Sequence, residues 1–198
     1  MPADSLTPSQ ILEFYKIAEK LKTVLRHSWL SDPARQESVA EHTWMMSLLA
    51  IVLLPKMQVK LDLTKVLKMI VIHDLAEAIT KDMPAWESLA NKAAKTKAEK
   101  LAITQIFSVL DEDSRAELTK LWEEYEERKS NEALFVKVMD TFDVIAQHNL
   151  ADLASWDDND RLWQLSPLQD AFFDFDPLFR RIKQKIDQDS LIRVKMKD

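Results

Sequence analysis

The chain runs to 198 residues without a single glycine, where average usage near 7% would supply roughly fourteen. Glycine is the residue that makes left-handed backbone and close approach of a main chain to phosphate inexpensive. Its absence excludes a Walker P-loop and a Rossmann fingerprint, which both depend on glycine-bearing turns. If such a chain handles phosphate, metal ions and cationic side chains must do the work.

Apolar residues recur at intervals of three and four, and no segment sustains period-two alternation between turn signals, so the chain reads as all-α. The first helix is expected to start after Thr7-Pro8-Ser9 and run through Ile11, Phe14, Ile17, Leu21 and Val24, with Arg26 near its C-terminal end and a turn at Ser31-Asp32-Pro33. A second begins at about Ser38, which with Glu41 forms a capping-box pattern, and ends at Leu54 before Pro55. A third spans about Asp62 to Ile79 and stops short of Pro84. One or two amphipathic helices fill Trp86 to Arg128, interrupted at Asp111 to Ser114, and Lys92 to Lys100 reads as a charged, exposed face. Another helix covers Asn131 to about Leu153, and an aromatic-rich, then basic, region follows Pro167.

Composition narrows the function. An apolar content of 46% in a chain of this size suits one globular domain over 1–198. A net charge of -6 disfavours nucleic acid as a partner. With no cysteine, disulfides, thiolate metal sites and cysteine nucleophiles are excluded, and any metal must sit on nitrogen and oxygen. Met1 to Gln10 lacks a signal-peptide pattern and the run Met45 to Leu54 is too short to cross a bilayer, so a cytoplasmic protein without membrane attachment is expected.

The informative constellation is His42, the adjacent pair His73-Asp74, and Asp140, carried by three different expected helices among mostly apolar neighbours. An imidazole or carboxylate in such surroundings costs several kcal/mol, in order of magnitude about 2–7, unless hydrogen-bonded, paired or bound to a cation. One divalent cation satisfies all four groups. Two imidazoles and two carboxylates suit Mn²⁺, Co²⁺, Fe²⁺, Ni²⁺ or Zn²⁺ better than Ca²⁺, with Mg²⁺ also open, and leave positions for water and substrate. With only His27 and His148 left over, a second histidine-rich metal site is not expected.

The segments Glu37-Ser38-Val39-Ala40-Glu41-His42, Ile72-His73-Asp74-Leu75-Ala76-Glu77 and Val138-Met139-Asp140 resemble the H…HD…D pattern of the HD-domain superfamily of phosphohydrolases. Arg26, Glu77 and Lys81-Asp82-Met83-Pro84 are similar, more narrowly, to the YfbR-type 5′-deoxynucleotidases and their eukaryotic relatives, over about Leu21 to Asp143. The resemblance implies a helical HD-domain fold with a metal-binding region over about 21–143 and C-terminal helices over 144–198 packed on it. It implies one divalent metal ion on His42, His73, Asp74 and Asp140, phosphate binding by Arg26, catalytic assistance from Glu77 and Asp82, and a homodimer. Lys81 departs from the pattern, because relatives usually carry glycine there, and Trp29 follows Arg26 by three positions as in the eukaryotic relatives.

The expected function is metal-dependent hydrolysis of (deoxy)nucleoside 5′-monophosphates to nucleoside and phosphate. A metal lowers the pKa of bound water and Arg26 neutralises developing charge, while Glu77, four residues after His73, orients the water or protonates the leaving alkoxide. Arg35 is a second candidate beside the site, whereas Lys137, His27 and His148 are not assigned to it. The alternatives are a nucleotide-sensing or partner-binding protein without activity, or a hydrolase of another small phosphoester.

Overall fold

The structure, a computed structural model, describes residues 6–195, so the outermost residues of the expected 1–198 domain lie outside it. The first helix, α1 (Pro8–Ala18), starts at Thr7, whose hydroxyl accepts from the Gln10 N–H while Gln10 reaches back to the Thr7 N–H. It does not continue to Val24. After one 3-10 turn over Glu19–Lys22 the chain enters a strand, β1 (Leu25–Trp29), paired antiparallel with β2 (Gln36–Ser38) through the registers Leu25↔Ser38 and Trp29↔Gln36. Arg26 therefore sits on a strand and not at a helix end. The burial pattern shows why: Leu25 is exposed while Arg26 and Ser28 are buried, the period of two that a strand imposes. This hairpin is the only sheet among the described residues, and the all-helical reading holds for the rest.

The Ser38 capping box forms as expected and opens α2 (Val39–Leu53). Asp62 accepts from the Thr64 and Lys65 N–H groups and opens α3 (Leu63–Ile72). The expected helix to Ile79 is broken at His73–Ala76, where tighter bonds such as Glu77 N–H to Asp74 C=O at 3.0 Å replace the α-helical ladder, and resumes as α4 (Glu77–Thr80). Then come α5 (Ala85–Ala90), α6 (Lys92–Phe107), α7 (Glu112–Glu127, capped by Asp111) and α8 (Asn131–Leu150, capped by Ser130). Three further helices follow, α9 (Asp158–Gln164), α10 (Asp170–Phe173) and α11 (Pro177–Lys195). Among the described residues no helix is long and apolar enough to cross a membrane.

The core lies where α2, α3 and α8 pack together, with α7 against α3 and α8. Met46, Met69, Ile70, Phe135 and Met139 are fully buried there, and each such side chain contributes about 1.5–3 kcal/mol of hydrophobic stabilisation. The C-terminal helices α10 and α11 close on the other side of α8, with the Phe179 ring 5.8 Å from that of Phe135. This packing brings the start of α2, the end of α3, the middle of α8 and the strand β1 to one place.

Candidate active site

His42 occupies the first turn of α2, and His73 and Asp74 follow the last residue of α3. Asp140 projects from the middle of α8. His42 Nε2 lies 3.4 Å from Asp140 Oδ1 and 3.8 Å from Asp74 Oδ2, and His73 Nε2 lies 3.0 Å from Asp74 Oδ2. All four residues expected to hold metal are brought together.

The second nitrogen of each imidazole is committed. His73 Nδ1 sits 2.7 Å from the Ile70 carbonyl oxygen, which only accepts, so Nδ1 carries hydrogen and Nε2 presents a lone pair. His42 Nδ1 sits 2.7 Å from Asp143 Oδ2, which leaves Nε2 turned toward Asp74 and Asp140 to carry a proton or take a cation. Both Nε2 atoms are buried and have no hydrogen-bond partner. Buried polar atoms are seldom left this way, because each costs about 1–3 kcal/mol. Ligand atoms of His42, His73 and Asp140 all lie within 4.8 Å of one another, so the donor set fits a divalent cation. Imidazoles with an outer hydrogen-bond partner are the usual form of such ligands.

Arg26 fills the space between the carboxylates. Nη1 lies 3.1 Å from Asp74 and 3.5 Å from Asp82, Nη2 lies 3.8 Å from Asp140, and Nε lies 3.8 Å from Glu37. Burial alone would lower its pKa, yet Asp82, Asp74 and Asp140 raise it. The same field acts on His42: burial and Arg26 oppose a positive charge there, but Asp140 and Asp143 carry the pKa up to about 9. The cavity is thus built to attract cations. Burial would raise Asp140, but Lys137, whose Nζ is 2.6 Å away, and His42 hold it well below the ordinary carboxylate range.

Glu77 opens α4 and is 2% exposed, with Oε2 lacking any partner. Burial, then the charges of Asp74 and Asp82, push its pKa well above the ordinary carboxylate value. Asp82 is also raised by burial, against the opposing pull of Arg26. Asp82 reaches Arg26 from a loop whose turn is made at Lys81, at φ 69° and ψ 160°. That region is essentially a glycine one, and holding another residue there costs about 1–3 kcal/mol. Lys81 adopts this backbone geometry although it carries the β-carbon that disfavours it.

Arg26, His73, Asp74, Glu77, Asp82 and Asp140 line a cavity of about 230 Å³. Several of its groups were outside the expected site. Lys95 and Glu99 of α6 line it, one helical turn apart and 3.4 Å from each other; they are the half-buried pair in a stretch that otherwise reads as exposed charge. Tyr125 packs its ring edge-on against His73 at 5.5 Å. Asp143, one turn after Asp140 on α8, could have been found by that spacing. Arg35 pairs instead with Glu41 at 2.7 Å at the exposed start of α2, and Trp86 lines the cavity where Trp29 does not.

Comparison with known proteins agrees with the motif order. A family model described as HD domain matches residues 18–167. The 5′-deoxynucleotidase HDDC2 of Dictyostelium discoideum is 37% identical over 145 residues, covering 70% of this chain and 76% of that protein. The human protein of the same name is 36% identical over 138 residues, covering 69% and 66%. A crystal structure of a predicted metal-dependent phosphohydrolase from Magnetospirillum magnetotacticum shares the fold, with TM-score 0.76, 22% identity and coverage of 93% and 95%. The PH0347 protein of Pyrococcus horikoshii superposes with TM-score 0.71 at 28% identity, covering 90% and 99%. With the His42, His73-Asp74 and Asp140 side chains converging as they do, this chain belongs to the HD-domain family.

Proposed function

We propose that the chain is a metal-dependent phosphoric monoester hydrolase that cleaves (deoxy)nucleoside 5′-monophosphates to nucleoside and phosphate. The observation that carries this reading is the pair of buried, partnerless imidazole nitrogens of His42 and His73 facing Asp74 and Asp140 beside a carboxylate-ringed arginine. The relatives called 5′-deoxynucleotidase support the substrate class.

His42, His73, Asp74 and Asp140 would hold one divalent cation, of an identity left open among Mn²⁺, Co²⁺, Fe²⁺, Ni²⁺, Zn²⁺ and Mg²⁺. When bound it supplies Lewis-acid polarisation of phosphoryl oxygen and activation of water. Arg26 binds the phosphate and neutralises charge developing on its oxygens. Glu77, buried and with a free oxygen, holds a proton at its carboxyl and delivers it to the departing 5′-oxygen. Asp82 positions Arg26. We read the chain as a homodimer, supported by the apolar stripe that α2 leaves exposed at Trp44, Leu48, Ile51 and Val52, and as a cytoplasmic protein, supported by the nucleotide class of its proposed substrate.

The test uses metal-stripped protein, resupplied in turn with Mn²⁺, Co²⁺, Mg²⁺ or Zn²⁺. Phosphate release is followed from deoxy- and ribonucleoside mono- and triphosphates. Metal-requiring release from monophosphates, absent in Asp74→Ala, is expected. No release from any substrate with metal bound would transfer the site to another phosphoester or to nucleotide sensing.

A further inference from the structure

A second cluster of ligand-type side chains lies apart from the His42 and His73 centre. At the start of α9, Asp157 Oδ1 accepts from the Asp160 N–H at 2.8 Å and Asp160 Oδ2 accepts from the Asp157 N–H at 2.9 Å. This reciprocal cap leaves one oxygen of each carboxylate uncommitted. Asp160 is 2% exposed, and its Oδ1 has no hydrogen-bond partner. Two ring nitrogens approach it, His27 Nε2 at 3.1 Å, which also hydrogen-bonds Asp160 Oδ2 at 3.2 Å, and His148 Nε2 at 3.6 Å. His27 Nε2 is also 3.8 Å from Asp157 Oδ2.

The His148 tautomer follows from its other side. Gln164 Nε2 donates to the Ile145 carbonyl at 2.9 Å, which turns Gln164 Oε1 toward His148 Nδ1 at 3.2 Å. Nδ1 therefore carries the hydrogen and Nε2 a lone pair. Burial lowers the His148 pKa and keeps the ring neutral. That lone pair, on a ring that lines the cavity, lies 3.6 Å from a buried carboxylate oxygen that has no donor. A proton on His27 serves Asp160 Oδ2, 3.2 Å away, and leaves Oδ1 unmet; a cation held by His27, Asp157 and Asp160, whose ligand atoms all lie within 4.8 Å of one another, meets it.

We propose that His27, Asp157 and Asp160, with His148 beside them, form a second divalent-cation site on the wall of the catalytic cavity. One imidazole and two carboxylates, with a second imidazole beside them, suit a borderline transition metal such as Zn²⁺ or Co²⁺. His27 and His148 both line that cavity, so the coordination positions they leave open face the substrate space. This site does not depend on the reaction assigned to its neighbour.

The experiment counts metal on the metal-stripped full chain titrated with Co²⁺, by calorimetry and visible absorption. The wild type is expected to bind two equivalents, and His27→Asn and Asp160→Asn one each, with the second equivalent weakened by at least about a hundredfold. His73→Asn, which removes a ligand of the first centre, is expected to retain one. Thermal unfolding checks that each variant is folded, and the wild-type and His73→Asn counts stand even if an α9 variant is not. One equivalent on the wild type at saturation, or none on His73→Asn, overturns the proposal and leaves a protonated His27–Asp160 ion pair. Two equivalents surviving in His27→Asn and Asp160→Asn also overturns it.

Discussion

His42 Nδ1 stands 2.7 Å from Asp143 Oδ2, and this bond aims the opposite ring nitrogen at Asp140 and Asp74. Asp143 is 3% exposed and does not reach the cavity floor itself; it acts through His42. Replacing it by asparagine keeps the shape but weakens the hold on ring orientation and tautomer. Asp143→Asn is expected to lose about 10–100-fold in metal affinity. Calorimetric titration of the stripped protein measures this, and unchanged affinity would show that His42 is oriented by its packing alone.

Lys81 is the second test point, since its φ of 69° is one that a β-carbon resists. Lys81→Gly is expected to stabilise the fold by about 1 kcal/mol, read from the urea midpoint, because strain at this backbone position is relieved. The gain is partly offset by the greater freedom of glycine in the unfolded chain. A destabilised variant would show that the Lys81 side chain, and not its backbone, matters to the loop.

The third prediction concerns pH. Burial pushes the Glu99 carboxyl up to about 7, against the opposing charge of Lys95. In the unfolded chain the same group titrates near about 4.3. Between those values the folded state keeps a proton that the unfolded state has lost, so this group's contribution to stability falls as pH rises through the window. Glu99→Gln removes the titration. Relative to wild type, the variant should gain roughly 2–4 kcal/mol between pH 4.5 and pH 8, at about 1.4 kcal/mol per pKa unit. Denaturant unfolding at several pH values measures it, and a flat difference would mean that Glu99 is not held in a charge-averse setting.

Arg26 carries the fourth. Arg26→Ala is expected to reduce kcat/KM by about 10²–10³-fold, the usual cost of one preorganised donor to a developing negative charge. Arg26→Lys should recover little, because a point charge cannot reproduce the planar guanidinium that reaches Asp74, Asp82 and Asp140 from one position. Steady-state kinetics on a nucleoside monophosphate decide it, and a near-normal lysine variant would reduce Arg26 to a simple counter-charge.

Much of this arrangement was legible in the chain alone, and where it was not the reasons are physical. His42, His73, Asp74 and Asp140 stood out because polar residues interrupted apolar helical patterns, and the fold brings them together. The Ser38 cap was readable because capping is local. The β1–β2 hairpin was missed because two strands of five and three residues are too short to show sustained alternation. The break between α3 and α4 was missed because the segment keeps helical periodicity through Ile79 while its backbone tightens at His73–Ala76. Lys95 and Glu99 read as solvated charge because nothing local says which turn of α6 covers a cavity. His27 and His148 looked unrelated for the same reason: only tertiary packing sets both rings against Asp160.

The central claim is that catalysis requires metal at the His42, His73, Asp74 and Asp140 cluster. Its most direct test measures bound metal and hydrolysis of a deoxynucleoside 5′-monophosphate in the same samples, as cation is returned to stripped wild-type, Asp74→Asn and His73→Gln proteins. The expected result is activity that rises with metal loading in the wild type and stays near background in both variants, with each still folded by circular dichroism. Hydrolysis by the stripped wild type, or full activity in either variant, would contradict the account.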